Sequence, residues 1–233
     1  MKFHKVSLWS FLFFLGIIFF FIFMTSSMII YKGGNFNNPD FNQYSFYENY
    51  LSDLGRMYTF TGELNTIPRI LLQIAVIFGS FIIFLLFYSS TKLFIKIPVK
   101  NKIGLSGSLI GFLSPIFCLF AGFFLFDIYP ISHRAFFYVF GVLFLISNIL
   151  ILINMQLLKI YPKNYVFISI FCNFLLISYI VIYTIIGPNA PYIQEIIKII
   201  GQKLIIPISI FNFLFQLFFL NRKKDCMQTE IIF

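Results

Sequence analysis

Six long apolar runs constrain this chain more than any other feature. They cover residues 6–30, 67–91, 103–126, 135–158, 165–186 and 199–221. Each is long enough to cross a membrane as a helix, which takes about 20 apolar residues. The runs lack the alternation of a transmembrane barrel, and open sheet edges cannot face lipid, so only helices are candidates. The sequence therefore predicts an all-α polytopic membrane protein, in which residues 1–233 form one six-helix transmembrane domain.

The composition supports a membrane location. Hydrophobic residues make up 60% of the chain and charged residues 11%, whereas a soluble domain usually has about 45–50% and about 25%. A water-soluble core of this length cannot hide such an excess, so lipid must cover it. The first run is too long for the apolar part of a signal peptide and has no small-residue cleavage site after it, so we interpret it as a helix.

The positive charges predict the orientation. Eleven of the 17 Lys and Arg residues lie beside one set of helix ends and six beside the other. The richer side is expected to be cytoplasmic, which puts both termini and a tail over residues 222–233 in the cytoplasm. The same rule explains the net charge of +9. No basic stripe with stacking aromatics is present, so membrane lipids are the expected partners and nucleic acid is not.

The loop after the first run carries a helix signature. Asn38 can cap a helix, Pro39 suits its first position, and Gly55 suits the left-handed position after its end. Between them, aromatic and leucine side chains recur every three or four residues. The pattern predicts an interfacial helix over residues 39–54, which either contributes to a site or only rims the bundle.

The third run combines small residues with a proline. The small residues are spaced by four, three and three positions: Gly104, Ser108, Gly111 and Ser114. Small residues at this period let helices approach closely in lipid, so the stripe predicts packing. Pro115 is expected to kink the helix.

The centres of the spans contain amides but no charged residue. The polar residues there are Gln73, Asn148, Asn154, Asn173, Asn212 and Gln216. Proton relays and ion-coupled transport usually need ionisable groups within the membrane. We therefore interpret the amides as hydrogen-bond partners between helices rather than as a transport path.

Polar residues gather instead at the predicted outer ends of the helices. The candidate catalytic residues are Asp53, His133 and Ser52, because a carboxylate or imidazole can move a proton and can activate a hydroxyl. Arginines suit a phosphate or carboxylate head group. The candidate ligand-binding residues are Asn49, Arg56, Arg69, Gln73, Asp127 and Arg134. The same layer also contains Glu195, Lys198, Gln202 and Lys203.

No metal or cofactor is predicted. A single outer histidine cannot form a tri-histidine zinc site, and the three cysteines do not have metal-ligand spacing. A lone histidine is more often a structural hydrogen-bonding residue than a catalyst. His133 is therefore interpreted either as a structural residue or as a proton-transfer group.

Two strings in this layer resemble a known family. The string Asn49-Tyr50-Leu51-Ser52-Asp53-Leu54-Gly55 is similar to the N-x-x-S-D-L-G string of domain of unknown function 998. The segment from Gly122 to Asp127, followed by His133, is similar to that family's G-x-F-P-x-D turn and histidine, although the family's proline is absent here. The resemblance implies a prokaryotic six-helix integral membrane protein without an established activity.

Three functions fit these observations. The first is a site at the outer membrane edge that binds or acts on a lipid or amphiphile. The second is a structural or interaction protein whose outer charges form a stabilising ion-pair network. The third is a small-solute transporter, which would need a polar path between the helices.

Overall fold

The regular structure of this chain is helical in the part that the structure, a computed structural model, describes: residues 8–96, 102–157, 163–186 and 192–230. The helices are α1 (Leu8–Ile30), α2 (Leu51–Leu54), α3 (Thr66–Lys96), α4 (Lys102–Gly111), α5 (Ser114–Phe123), α6 (Pro130–Leu157), α7 (Lys163–Ile185) and α8 (Tyr192–Glu230). The predicted all-α fold class is confirmed.

Five segments are long and apolar enough to cross a membrane, counted over the described residues. They are Phe11–Ile30, Thr66–Lys92, Lys102–Phe123, Pro130–Leu157 and Lys163–Ile185. Each overlaps one of the first five predicted runs, although α5 ends at Phe123, before the last three residues of the run 103–126. Residues 6, 7 and 158 of the runs lie outside the described residues. The chain thus has the helices of a multi-pass membrane protein. The sixth predicted span, residues 199–221, lies within α8 and stays a prediction, as does the cytoplasmic tail over residues 222–233.

The span Lys102–Phe123 is broken into two helices at its centre. α4 ends at Gly111 and α5 begins at Ser114, with Pro115 in the first turn of α5. The backbone tightens at the break, where Leu113 N donates to Ile110 O at 3.1 Å. Proline has no N–H to donate and its ring clashes with the preceding turn, so the predicted kink at Pro115 is present.

The small-residue stripe is a packing surface. Its four members, Gly104, Ser108, Gly111 and Ser114, are all buried. A Cβ added at Gly111 would lie 2.3 Å from the Phe87 ring, and one at Gly104 would lie 2.5 Å from the Asn154 amide nitrogen. Contacts this close are available only to glycine, so α4 lies directly against α3 and α6.

α3 is the central helix of the bundle. It packs against α1, α4, α5 and α8, while α6 packs against α4, α5 and α7, and α7 packs against α8. Buried aromatic and aliphatic side chains fill the contacts of α3, including Leu72, Leu86 and Phe87. The α7–α8 pair joins the other helices through α6 and α3, and this arrangement leaves a space along the middle of the bundle.

The predicted interfacial helix over residues 39–54 is wrong over most of its length, because only Leu51–Leu54 is helical. Asparagine side chains bond the backbone there instead. The Asn35 side-chain oxygen accepts from the backbone nitrogens of Asn37 and Asn38, at 3.0 and 2.8 Å. The Asn49 side-chain oxygen likewise accepts from Ser45 N at 2.8 Å. Such local bonds offer the backbone an alternative to helical hydrogen bonds.

Gly55 also differs from its prediction. Its φ is −89°, so it does not take the left-handed conformation expected after a helix. A Cβ at this position would lie 2.9 Å from a methyl carbon of Leu72 on α3. Close approach of the loop to α3, rather than backbone conformation, explains a glycine here.

Candidate functional site

Three connections that the sequence predicted to be on one side meet at one end of the bundle. The Asp127 carboxylate, in the α5–α6 turn, accepts from Met57 N at 2.9 Å and from Tyr58 N at 3.0 Å. The first turn of α8 reaches the same loop, since Tyr192 donates its hydroxyl to Glu48 at 2.6 Å. The structure therefore brings together residues about 70 and 140 positions apart.

Asp53 lies at the centre of the loop and is 5% exposed. Its Oδ2 accepts from Tyr50 N at 2.8 Å and from the Asn49 side chain at 3.1 Å. The bond to Tyr50 caps the start of α2, as in half of a capping box. Burial raises the pKa of Asp53 to about 6, and the Asn49 hydrogen bond, the Arg56 charge and the Tyr50 backbone bond oppose this shift. Asp53 is thus a buried, locally bonded carboxyl group.

Asn49 and Asn65 complete the support of α2. Asn49 is fully buried and its side chain donates to Gly34 O at 2.7 Å. Asn65, just before α3, donates to Leu54 O at 2.9 Å and to Arg56 O at 3.2 Å. These bonds satisfy carbonyls at the end of α2 that have no partner within the helix. The sequence analysis did not single out Asn65 as a site residue.

His133 has a partner of its own. Its Nδ1 lies 2.8 Å from the Phe124 carbonyl oxygen, and its ring meets that of Phe126 edge-on with centroids 5.5 Å apart. Asp53 and His133 therefore hydrogen-bond to different groups, and no bond joins them in the described structure. The pattern expected of a proton-transfer pair is absent in this part of the chain.

The arginines are also occupied locally. Arg56 donates to Tyr58 O at 3.1 Å and stacks over Phe60 at 4.2 Å. Arg134 is exposed and donates to Pro130 O at 3.1 Å. Arg69 and Gln73 lie half-buried in the first two turns of α3. Arg56 and Arg134 thus each have a backbone partner within four residues of their own position.

A polar face of α8, made of Glu195, Lys198, Gln202 and Lys203, holds the loop against the bundle. We call it the α8 polar face. Lys203, 7% exposed, donates to Asn49 O at 2.7 Å and also to Phe46 O. Gln202 accepts from Leu51 N at 3.0 Å, and Glu195 accepts from the Tyr50 hydroxyl. These four residues were predicted to lie in the outer polar layer but were not predicted as site residues. Their helical spacing could have indicated that they share one face of α8.

Ion pairs are few in this layer. Lys198 and Glu195 lie 2.7 Å apart and form the one salt bridge found among the described residues. Lys203 instead has carbonyl oxygens as partners and lies over the rings of Tyr44 and Phe46, at 4.9 and 4.5 Å. Backbone groups rather than opposite charges therefore partner most of the buried polar side chains that support the loop.

A central cavity of about 240 Å³ lies beneath the loop. Every helix except α4 contributes to its wall, which is mainly aliphatic and aromatic. Leu51 and Ser52 of α2 line it from the loop, so α2 covers part of it. Its polar lining residues are Ser52, Cys118, His133, Tyr138, Tyr179, Tyr183, Gln202 and Ser209. Among the described residues, no Asp, Glu, Lys or Arg lines the cavity.

Three of the intramembrane amides, Asn148, Asn173 and Asn212, form a separate small cluster. Ser169 on α7 donates to the Asn212 side-chain oxygen on α8 at 2.8 Å. Asn148 and Asn173 donate to carbonyls one turn back in their own helices, both at 2.8 Å. The Gln216 side chain lies outside the described residues. The space between these amides is only about 10 Å³, which is room for about one water molecule.

In the described part of the chain, no group of three or more His, Cys, Asp or Glu side chains could hold a metal ion.

No protein-family model, no curated protein and no solved structure matches this chain. The resemblance to domain of unknown function 998 therefore stays a prediction.

Proposed function

We propose that this protein binds the apolar chain of a membrane lipid in its central cavity. The observation that carries the proposal is the cavity itself: about 240 Å³ of space, with an apolar wall, inside a bundle of membrane-spanning helices. Apolar walls of this kind favour apolar ligands over water. In a membrane, lipid chains are the most abundant ligand of that chemistry.

The size of the cavity argues that it is filled. Folded proteins contain few voids larger than a water molecule, and an engineered apolar cavity of about 150 Å³ stays dry and binds benzene. The central cavity, at about 240 Å³, is larger than that, so an apolar molecule from the membrane is its expected occupant.

The predicted site residues divide into two groups in this proposal. Ser52 and His133 line the cavity and would contact the ligand. Asp53 and Asn49 would act as positioning residues, since their hydrogen bonds hold α2 at the cavity. Because Asp53 bonds Tyr50 and Asn49 while His133 bonds Phe124, the geometry supports binding better than proton-transfer catalysis.

The finer expectations from the sequence belong to the same proposal. The two strings support membership of domain of unknown function 998 and, through that resemblance, a prokaryotic cell membrane. The Lys and Arg distribution supports the placement of both termini in the cytoplasm. In this orientation the loop and α2 would face the outside, and the ligand would come from the outer leaflet.

A space-filling substitution tests the proposal. A Cβ on Gly141, which lines the cavity, would meet only Ile180 within 4 Å, at 3.7 Å. Gly141→Leu therefore adds a side chain into free space. We expect the purified variant to carry at least fivefold less lipid per protein than wild type, measured by extraction and mass spectrometry.

The neighbouring Val142→Leu is the matched control, because Val142 is 45% exposed on the outer surface of the same helix and does not line the cavity. It should keep the wild-type amount of lipid. If Gly141→Leu and Val142→Leu carry equal lipid, the cavity is not a lipid site. After removal of lipid, Gly141→Leu should also melt at a higher temperature than wild type, since it fills the void.

A further inference from the structure

We infer that the central cavity takes one unbranched acyl chain along its length, and that Phe144, at the end away from α2, limits how many carbons the chain has. The inference rests on the proposed function, because it specifies which chain the cavity accepts. We call the end that α2 lines the loop end, and the end at Phe144 the far end.

The depth of the cavity corresponds to one leaflet of a bilayer. Its lining residues run from His133 to Phe144 on α6 and from Leu72 to Ile83 on α3. At about 1.5 Å per residue, each of these stretches is about 16 Å long, which is about half of the roughly 30 Å hydrocarbon core. A chain that lies parallel to the helices therefore reaches from the helix ends to about the middle of the membrane.

The volume of the cavity allows a single chain. An engineered cavity of about 150 Å³ takes up benzene, which has six carbons. In the same proportion, about 240 Å³ has room for about ten carbons. Spread over the depth of the cavity, ten carbons form one chain, and a second chain has no room beside it. The cavity thus fits one acyl chain and not both chains of a diacyl lipid.

Phe144 closes the far end of the cavity. It is only 6% exposed, and its ring packs against Phe140 of the same helix and Phe87 of α3, with centroids 5.7 and 6.2 Å away. Its backbone carbonyl accepts from the Asn148 side chain at 2.8 Å. Because other rings pack against it, the Phe144 ring has little space to turn aside for a longer chain.

The amide cluster lies just beyond the far end. On three helices, an amide stands two to four residues from the cavity-lining residue nearest that end: Asn148 after Phe144, Asn173 before Leu176 and Asn212 after Ile210. The space among the amides is about 10 Å³, room for about one water molecule. A chain that passed the far end would separate the hydrogen-bonded side chains of Ser169 and Asn212, which is unfavourable for buried polar groups.

The polar end of the ligand belongs at the loop end. Ser52 of α2, His133 in the first turn of α6 and Gln202 of α8 line the cavity there. A head group carried to the far end would lose its water inside the membrane, which is costly for any polar group without a new partner. The methyl end of the chain therefore points towards Phe144.

A chain-length series tests the inference. The competitors are 1-monoacylglycerols with saturated chains of six to eighteen carbons, which displace radiolabelled monodecanoylglycerol from the delipidated protein in CHAPS, a detergent without an alkyl chain. Affinities are expressed as mole fractions in the micelle, so that they report fit rather than partitioning. Affinity should rise about threefold per added carbon while the chain fills empty space, and should stop rising at about ten carbons. Didecanoylglycerol should bind no more tightly than monodecanoylglycerol.

Two substitutions in the cavity wall should move this limit in opposite directions. Phe144→Ala removes the ring at the far end and should shift the limit to longer chains by at least two carbons. Ser209→Leu adds a side chain to the wall beside Ile210 and should shift it to shorter chains by at least two carbons. Because Ser209→Leu opens no void in the core, it tests the inference even if Phe144→Ala does not fold.

Phe136→Ala is the matched control. Phe136 lies on the same helix as Phe144 and packs against the rings of Phe117 and Phe120, but it does not line the cavity. The variant loses the same ring and should keep the wild-type limit.

The results separate the inference from the proposed function. A limit that moves in a cavity variant, but not in Phe136→Ala, supports the inference. Affinity that keeps rising to eighteen carbons, or tighter binding of didecanoylglycerol, would overturn it. So would a limit that stays unchanged in every cavity variant that folds, or that moves equally in Phe136→Ala. If no chain length binds, or if Gly141→Leu binds the series as wild type does, the proposed function itself fails.

Discussion

Asp53 is a carboxyl group that the fold surrounds with donors but removes from water. Burial raises its pKa from 3.8 to about 6, so the folded protein holds this proton more tightly than the unfolded chain does. Its contribution to stability is therefore complete below about pH 4 and is lost as the pH rises through about 6. A shift of about two pKa units corresponds to about 3 kcal/mol.

We expect Asp53→Asn to flatten the pH dependence of stability between pH 4 and 7, because asparagine cannot ionise but can still accept from Tyr50 N. The measurement is the melting temperature of the purified protein across this range. Glu63→Gln removes the same charge from an exposed position of the same loop and should leave the slope as in wild type. An unchanged slope in Asp53→Asn would show that Asp53 does not titrate in this window.

Asp127 shows how a residue suggested as a ligand-binding group can be explained by backbone contacts. Both of its carboxylate oxygens accept from the backbone of Met57, and one also accepts from Tyr58. Charged acceptors make hydrogen bonds about twice as strong as neutral ones. Asp127 therefore fastens the first loop to the α5–α6 turn, and its hydrogen bonds need no ligand to explain them.

At the scale of secondary-structure elements, α8 determines where the loop and α2 lie. The α8 polar face bonds the loop backbone at Phe46, Asn49 and Leu51. α2 has only four residues, and an isolated helix of that length is not stable in water. Its position at the cavity thus depends on side chains from α8, together with Asp53 and Asn65.

Lys203→Met tests this dependence. The change keeps the unbranched side chain but removes the Lys203 donor from two loop carbonyls, of which Asn49 O keeps the Tyr44 hydroxyl at 3.3 Å. A buried polar group left without its partner costs about 1–3 kcal/mol. We expect backbone amides over residues 44–54 to exchange hydrogen at least tenfold faster, with little change in α1 or α3. Hydrogen–deuterium exchange with mass spectrometry measures this.

Lys32→Met is the control for Lys203→Met, because Lys32 lies exposed at the start of the same loop. It removes an equal charge and should leave the exchange rates as in wild type. Protection of residues 44–54 that persists in Lys203→Met would mean that the loop does not depend on Lys203 and is held by its other hydrogen bonds.

At the scale of the whole molecule, the number of crossings determines whether the two termini lie on the same side of the membrane. Five helices have the length and composition to span, counted over the described residues. α8 has 39 residues and, at about 1.5 Å per residue, is also longer than the roughly 30 Å hydrocarbon core. Six crossings put both termini on one side, whereas five put them on opposite sides.

Cysteine labelling distinguishes these topologies. In a variant that lacks Cys118 and Cys172, Cys226 reports on the C-terminal tail, and in a further variant without Cys226, Asn37→Cys reports on the exposed loop. We expect a membrane-impermeant maleimide to label Asn37→Cys in intact cells and Cys226 only after permeabilisation. Labelling of Cys226 from outside in intact cells would contradict the six-crossing topology.

Several features could be predicted from the sequence because they depend on local chemistry. In lipid, every backbone polar group needs a partner within its own segment, so long apolar runs must be helices. The break at Pro115 follows from the missing N–H, and the packing stripe from Gly104 to Ser114 follows from its helical period. The clustering of the outer polar residues could also be predicted, since successive spanning helices run in opposite directions and bring every second connection to the same side.

The tertiary structure decided what those residues do. Aromatic spacing predicted a helix over residues 39–54, but Asn35 and Asn49 bond the backbone there, and Lys203, more than 150 positions away from Asn49, holds the result. Asp53 and His133 both lie at the predicted end, yet each has its own partner. The cavity belongs to no single segment, because seven helices contribute to its wall. The sequence by itself determined which segments are helical and which ends are polar, because those properties depend on neighbouring residues. Only packing between distant segments could decide where space remains in the bundle.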